Sequence, residues 1–140
     1  MNGKAVIFDD ISKNGERFSA KEIFKLISLN AAGGKSIIPY ASVGVEINGE
    51  SVLGSGFGNG PIDATFNVIK ELVGSKAELV EFSVRAIGKG TDVPGEAEVE
   101  LKEKGFISIG RGVDSDIITA SAKAYINGLN RLEHLKANLV

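Results

Sequence analysis

The chain is 140 residues long, room for one domain with one core and too short for two ordinary ones. With 43% hydrophobic and 24% charged residues it has globular composition, and a net charge of -2 with scattered Lys and Arg leaves no basic stripe for nucleic acid. The absence of cysteine excludes disulfide and thiolate chemistry, and no apolar run approaches membrane-spanning length, so the expectation is a cytoplasmic domain that binds neither nucleic acid nor membrane.

Residues 1–22 read as an N-terminal linker segment, within which Ala5–Phe8 has the composition of a short strand. Ser19-Ala20-Lys21-Glu22 matches a capping box, with Phe18 and Ile23 spaced as a hydrophobic staple, so a short helix is expected from Ser19. Alternation at Ile27, Leu29 and Ala31 predicts an extended run, broken by Ala32-Gly33-Gly34-Lys35. Val43, Val45 and Ile47 alternate with smaller or polar residues as in a half-buried strand. Asn48-Gly49 then signals a hairpin returning into Ser51–Phe57.

A glycine-studded turn follows, Gly54-Ser55-Gly56-Phe57-Gly58-Asn59-Gly60, and opens a helix at Pro61. Proline suits the first helical position, where its missing N–H loses nothing; Gly60 serves as N-cap, and Gly74 stops the helix. Ile62, Phe66, Ile69 and Val73 give that helix one apolar face. Free N–H groups at a helix start, approached over glycine, suit an anion such as a carboxylate. The plainer reading of the same glycines is a tight strand-to-helix connection.

The pattern then repeats. Leu79–Ile87 alternates, Gly88-Lys89-Gly90 breaks it, Ala97, Val99 and Leu101 alternate, Lys104-Gly105 turns, and Phe106, Ile107 and Ile109 lead into Gly110-Arg111-Gly112. A long helix comes last, with Ile118, Ala122, Tyr125, Leu129 and Leu132 on one stripe. Gly56 maps to Gly110 and Gly58 to Gly112 at an offset of 54 (110 − 56). The expectation is an α+β domain of two pseudo-symmetric β-β-β-α units, 23–75 and 76–140. In the second unit Asp114 is placed as N-cap and Asp116 in the first turn, where carboxylates complement the helix end and are also able to hold an ammonium. Gly128 inside the second helix signals another backbone packed close by.

Catalytic chemistry is missing from the pattern. His134, the one histidine, lies late in the last helix without a carboxylate or nucleophile nearby in sequence and is expected to face solvent. There is no His/Cys metal cluster, no nucleophile elbow, and no glycine arrangement for a dinucleotide or phosphate loop. Asp9-Asp10 lacks an oppositely tuned partner. The residues describe a binding module with no cofactor and no metal.

Three ordered segments carry a family likeness. They are Gly58-Asn59-Gly60-Pro61-Ile62-Asp63-Ala64, then Gly90-Thr91-Asp92-Val93-Pro94-Gly95-Glu96, then Gly110 through Tyr125 followed by Leu129-Asn130-Arg131-Leu132. Together with the repeat they resemble the C-terminal regulatory domain of the alpha-isopropylmalate synthase and citramalate synthase family over roughly Phe24 to Leu132. The resemblance implies a dimer of two-unit domains that binds the pathway end product, leucine or isoleucine. Binding in that family inhibits a separate catalytic barrel, in cis or in trans, that condenses acetyl-CoA with a 2-oxo acid; no such barrel is present in this sequence.

Carried over residue by residue, the resemblance implies ligand contacts at Gly58, Asn59, Gly60, Pro61 and Asp63. It implies apolar pocket residues at Leu79, Phe82, Ala86 and Val93. Phe82 stands where the family usually has tyrosine, and Val93 where it often has alanine. An amino acid needs donors for its carboxylate, an acceptor for its ammonium and a dry apolar slot. Asp63, Asp114 or Asp116 would supply the acceptor. The alternative is a purely structural dimerisation domain without a ligand, in which Phe82 and Ala86 are simply core.

Overall fold

The computed structural model describes the backbone of residues 6–8 and all of residues 22–91 and 93–138. The helix expected from Ser19 lies outside the described residues. Strand β1 (Val6–Phe8) is followed by β2 (Phe24–Gly34), β3 (Ile37–Ile47), β4 (Glu50–Phe57) and helix α1 (Pro61–Val73). Then come β5 (Glu78–Ala86), β6 (Gly95–Glu103), β7 (Phe106–Asp114) and α2 (Ile117–Asn138). One sheet has the order β2-β3-β4, the other β1-β7-β6-β5, all antiparallel except the β1–β7 pair. Two β-β-β-α units are therefore present, the second extended at its edge by β1.

Local chemistry explains the element ends. Both hairpin turns place two consecutive residues at positive φ, Asn48 (50°) with Gly49 (87°) and Lys104 (52°) with Gly105 (84°), the backbone twist that tight hairpins need. Helix α1 starts from an extended Gly60, has Pro61 in its first turn, and ends at Gly74 in the left-handed conformation (φ 66°), whose N–H returns to the Glu71 and Lys70 carbonyls. The apolar stripes of the helices face the sheets. Val43, Val45, Ile69, Val99, Leu101 and Leu132 are almost fully enclosed in one core shared by both units. Phe66 of α1 joins the halves, stacked on Tyr125 of α2 (centroids 4.6 Å) and edge-on to Phe82 of β5 (5.3 Å).

The structure corrects three local expectations. β2 runs through Gly33 and Gly34, and its turn is Lys35-Ser36 rather than Ala32–Lys35. Gly54 and Gly56 belong to β4, and Gly110 and Gly112 to β7, so the turn before α1 is confined to residues 58–60. These strand glycines lie beneath a helix. A Cβ on Gly54 would meet the Leu72 side chain and one on Gly56 the Val68 side chain, whereas Cβ atoms on Gly110 and Gly112 would collide with the backbone of α2.

The repeat offset is 56 rather than 54. The hairpin turns (104 − 48), the helix starts (117 − 61) and the glycine pairs, Gly54 with Gly110 and Gly56 with Gly112, all obey it. A two-residue slip keeps every side chain on the same face of a strand, so alternation alone does not separate the two registers. The β-bulges of β2 (between Leu26 and Ser28) and β5 (between Leu79 and Glu81) correspond at 53 (79 − 26). The three-residue difference is taken up in the β5–β6 connection.

Candidate functional site

The turn before α1 is held by its own side chains. Gly58 N–H donates to the Pro39 carbonyl (3.2 Å), and Asn59 N–H donates to Asp63 Oδ2 (2.8 Å). Asn67 Nδ2 donates to the Phe57 carbonyl (3.3 Å) and lies 3.5 Å from the same Asp63 oxygen. A Cβ at Gly58 would sit 2.4 Å from Ala64 N, so this position is glycine because the first turn of α1 presses on it. The expectation that the Gly58 and Asn59 amides form an open anion nest is thereby corrected: a carbonyl and a carboxylate of the chain already occupy them. Among the described residues no side chain caps α1. With Pro61 carrying no N–H and Ala64 N–H bonded to the Gly60 carbonyl (2.9 Å), the helix-start donors without a partner among the described residues are those of Gly60, Ile62 and Asp63. The exposed Asp63 carboxylate lies within hydrogen-bonding range of this turn, placing an acceptor beside donors.

The corresponding end of α2 is closed. Asp116, not Asp114, is the N-cap: its carboxylate accepts from Thr119 N (3.1 Å), Ile118 N (3.4 Å) and Thr119 Oγ1 (2.6 Å), and its carbonyl accepts from Ala120 N. Asp114 ends β7. It accepts from Asp116 N (2.9 Å) and pairs with Lys123 Nζ (2.9 Å). The Asp116 amide first, then the Lys123 ammonium, hold the Asp114 carboxyl below the ordinary aspartate range. Both acids of the second unit thus have partners, and among the described residues neither shares a hydrogen bond or ion pair with the Gly58–Asp63 turn.

The apolar candidates lie mainly along β5. Leu79, Phe82 and Ala86 stand opposite Leu101, Val99 and Gly95, on the helix side of the sheet. Leu79 keeps 40% of its surface exposed and Phe82 is half-buried, because α1 lies over β3 and β4 while α2 lies over β6 and β7. Phe82 is the one β5 candidate that meets α1 by a ring contact, through Phe66. Val93 is half-buried and closes on Gly88 in the β5–β6 connection, where Gly88 adopts φ 116°.

His134 is half-buried rather than open, with Asn138 Nδ2 donating to its carbonyl (2.8 Å) and lying 3.2 Å from its Nδ1. Asp9 and Asp10 fall outside the described residues. Among the described residues no group of three or more acidic, histidine or cysteine side chains is placed to hold a metal ion, and no helix is long and apolar enough to cross a membrane. Sequence reasoning gave no role to Asn130, a buried amide on α2 that bonds the backbone of Ile23 and Phe24; its one signal is a polar residue inside the apolar stripe at Leu129 and Leu132.

Comparison with known proteins converges on one description. A family model described as the LeuA allosteric (dimerisation) domain matches residues 4–133. The chain is similar to the 2-isopropylmalate synthase of Syntrophus aciditrophicus (strain SB), 42% identical over 95% of this chain and 25% of that protein. It is similar as well to the 2-isopropylmalate synthases of Burkholderia lata (44%, covering 92% of this chain and 26% of that protein) and Nitratidesulfovibrio vulgaris (45%, covering 84% and 23%). The chain spans about a quarter of the length of the curated relatives it matches.

Proposed function

The chain belongs to the LeuA allosteric (dimerisation) domain family, and from that premise we propose that it is the feedback-regulatory part of a 2-isopropylmalate synthase, binding leucine and dimerising. The observation that carries this reading is the alignment of 2-isopropylmalate synthases with nearly this whole chain and only a quarter of their own length. The catalytic barrel it controls lies in cis or in trans, in the cytoplasm, and the domain itself carries out no catalysis. Isoleucine, as in a citramalate synthase, is the competing effector.

The unclosed start of α1 supports the leucine reading. Its Gly60, Ile62 and Asp63 amides would receive the ligand carboxylate, and the Asp63 carboxylate its ammonium. Leu79, Phe82, Ala86 and Val93 would line the aliphatic slot. Coupling of ligand to enzyme in such a device amounts to about 1–3 kcal/mol.

Titration calorimetry with leucine, isoleucine and valine tests the assignment. Leucine is expected to bind most tightly, and Asp63→Asn to weaken it. Tighter isoleucine binding would move the chain to the citramalate branch. No heat from any of the three at millimolar concentration would leave a ligand-free dimerisation domain, the reading favoured by the internally bonded Gly58 and Asn59 amides.

A further inference from the structure

The geometry points to β5 as the seam of the dimer, paired antiparallel with β5 of a second copy about a two-fold axis through Ser83. This inference rests on the dimerisation reading and adds the surface, the register and the contacts. Sheet β1-β7-β6-β5 is covered at one edge by β1, and among the described residues no strand pairs with the other. That strand carries apolar side chains that the described residues do not cover: Leu79, Val80 and the following Ile87 are exposed by 40%, 47% and 42%. An uncapped, apolar edge strand is a template for another chain.

Hydrogen-bond parity fixes which backbone groups face outward. Ile87 N–H donates to the Pro94 carbonyl (3.0 Å), one step beyond the β5–β6 ladder. In an antiparallel ladder alternate residues bond to the same neighbour, so Arg85, Ser83 and Glu81 direct their backbone groups to β6. Those of Ala86, Val84 and Phe82 point away from the sheet. Two β5 strands can therefore exchange bonds through Phe82 and Val84.

Side chains select the register. Centred on Ser83, Phe82 lies opposite Val84 of the partner subunit on the half-covered helix side, and Glu81 lies opposite Arg85 of the partner subunit on the other face. Both contacts occur twice by symmetry. Shifting the centre to Phe82 places Glu81 against a serine, shifting it to Val84 places Arg85 against a serine, and shifting it to Arg85 sets two arginines together. Arg85 already pairs with Glu96 of its own chain (2.7 Å) yet keeps 76% of its side chain exposed, so a second carboxylate has access to it. The other open edges offer no such match: β2 carries Lys25 and no acid, and β4 carries Glu50 and no base.

The Ser83 pair would be of the non-hydrogen-bonded kind, with Cα atoms about 4.5 Å apart, within the span of a disulfide. Because the sequence contains no cysteine, Ser83→Cys in the full chain gives an unambiguous reporter. Under mild oxidation it is expected to yield a covalent dimer, while Leu53→Cys on β4 does not. E81R and R85E are each expected to weaken self-association roughly tenfold in sedimentation, and an equimolar mixture of the two to restore it, since both seam contacts then become opposite-charge pairs. If the unaltered chain sediments as a dimer but Ser83→Cys fails to cross-link and the mixture shows no recovery, the seam is elsewhere and the dimerisation reading stands. If the unaltered chain is monomeric at every concentration, both fall.

Discussion

Asn130 ties the two units together with one side chain. Its Oδ1 accepts from the Ile23 and Phe24 amides and its Nδ2 donates to the Phe24 carbonyl, all at 2.9 Å, so a residue of α2 ends the orphanhood of three backbone groups at the start of β2. Asn130→Ala leaves those groups without partners and is expected to cost about 3 kcal/mol, read as a lower urea midpoint at unchanged slope. Tyr125 supplies a pH signature. Burial under Phe66 and in the core pushes its phenol up to about 12, against about 10 in an unfolded chain. The fold favours the neutral form, so this contribution to stability is complete below about pH 10 and is lost as pH rises through about 12. Denaturation across that window should show a steeper decline for the unaltered protein than for Tyr125→Phe. Neither role was visible in sequence, because a buried amide and a stacked phenol both look like ordinary members of a helical stripe until the opposing surface is known.

At the scale of elements, steric punctuation was the readable part. Asn48-Gly49, Lys104-Gly105, Pro61 and Gly74 each fix backbone angles by themselves, and the structure uses all of them as the sequence implies. Gly110 and Gly112 lie within β7 rather than after it, since glycine also marks places where backbones touch; Gly128 on the facing helix, a close-packing position in the sequence, is the clue that separates the two meanings. A Cβ on Gly110 would fall 2.1 Å from the Ala124 carbonyl oxygen and 2.3 Å from Gly128 N. Gly110→Ala is accordingly expected to destabilise by about 3 kcal/mol or more. Gly54→Ala at the equivalent position meets the Leu72 side chain, nearest at Cδ2 2.8 Å away and able to rotate, and should change stability by no more than about 1 kcal/mol. Thermal denaturation of the two variants compares the halves directly.

For the molecule as a whole, the repeat made the architecture legible, whereas at the candidate site the sequence marked residues and not their hydrogen-bond partners. Which oxygen takes the Asn59 amide, and which aspartate caps α2, depend on rotamers and on where a strand ends by one or two residues, and neither leaves a trace in spacing. The proposed leucine binding predicts a global readout. Under that reading, at leucine one hundredfold above its dissociation constant the unfolding free energy should rise by about 2.7 kcal/mol, and the rise should shrink for Asp63→Asn at the same leucine concentration. The duplicated halves also differ in compliance. Main chain lies directly on main chain where α2 crosses β7, whereas α1 stands off β4 on the Leu72 and Val68 side chains. Rotamers yield and peptide planes do not. An effector that docks at α1 therefore pushes against the softer mounting, with the α2 half as a fixed frame: amide exchange should alter along 61–73 and stay unchanged along 117–138.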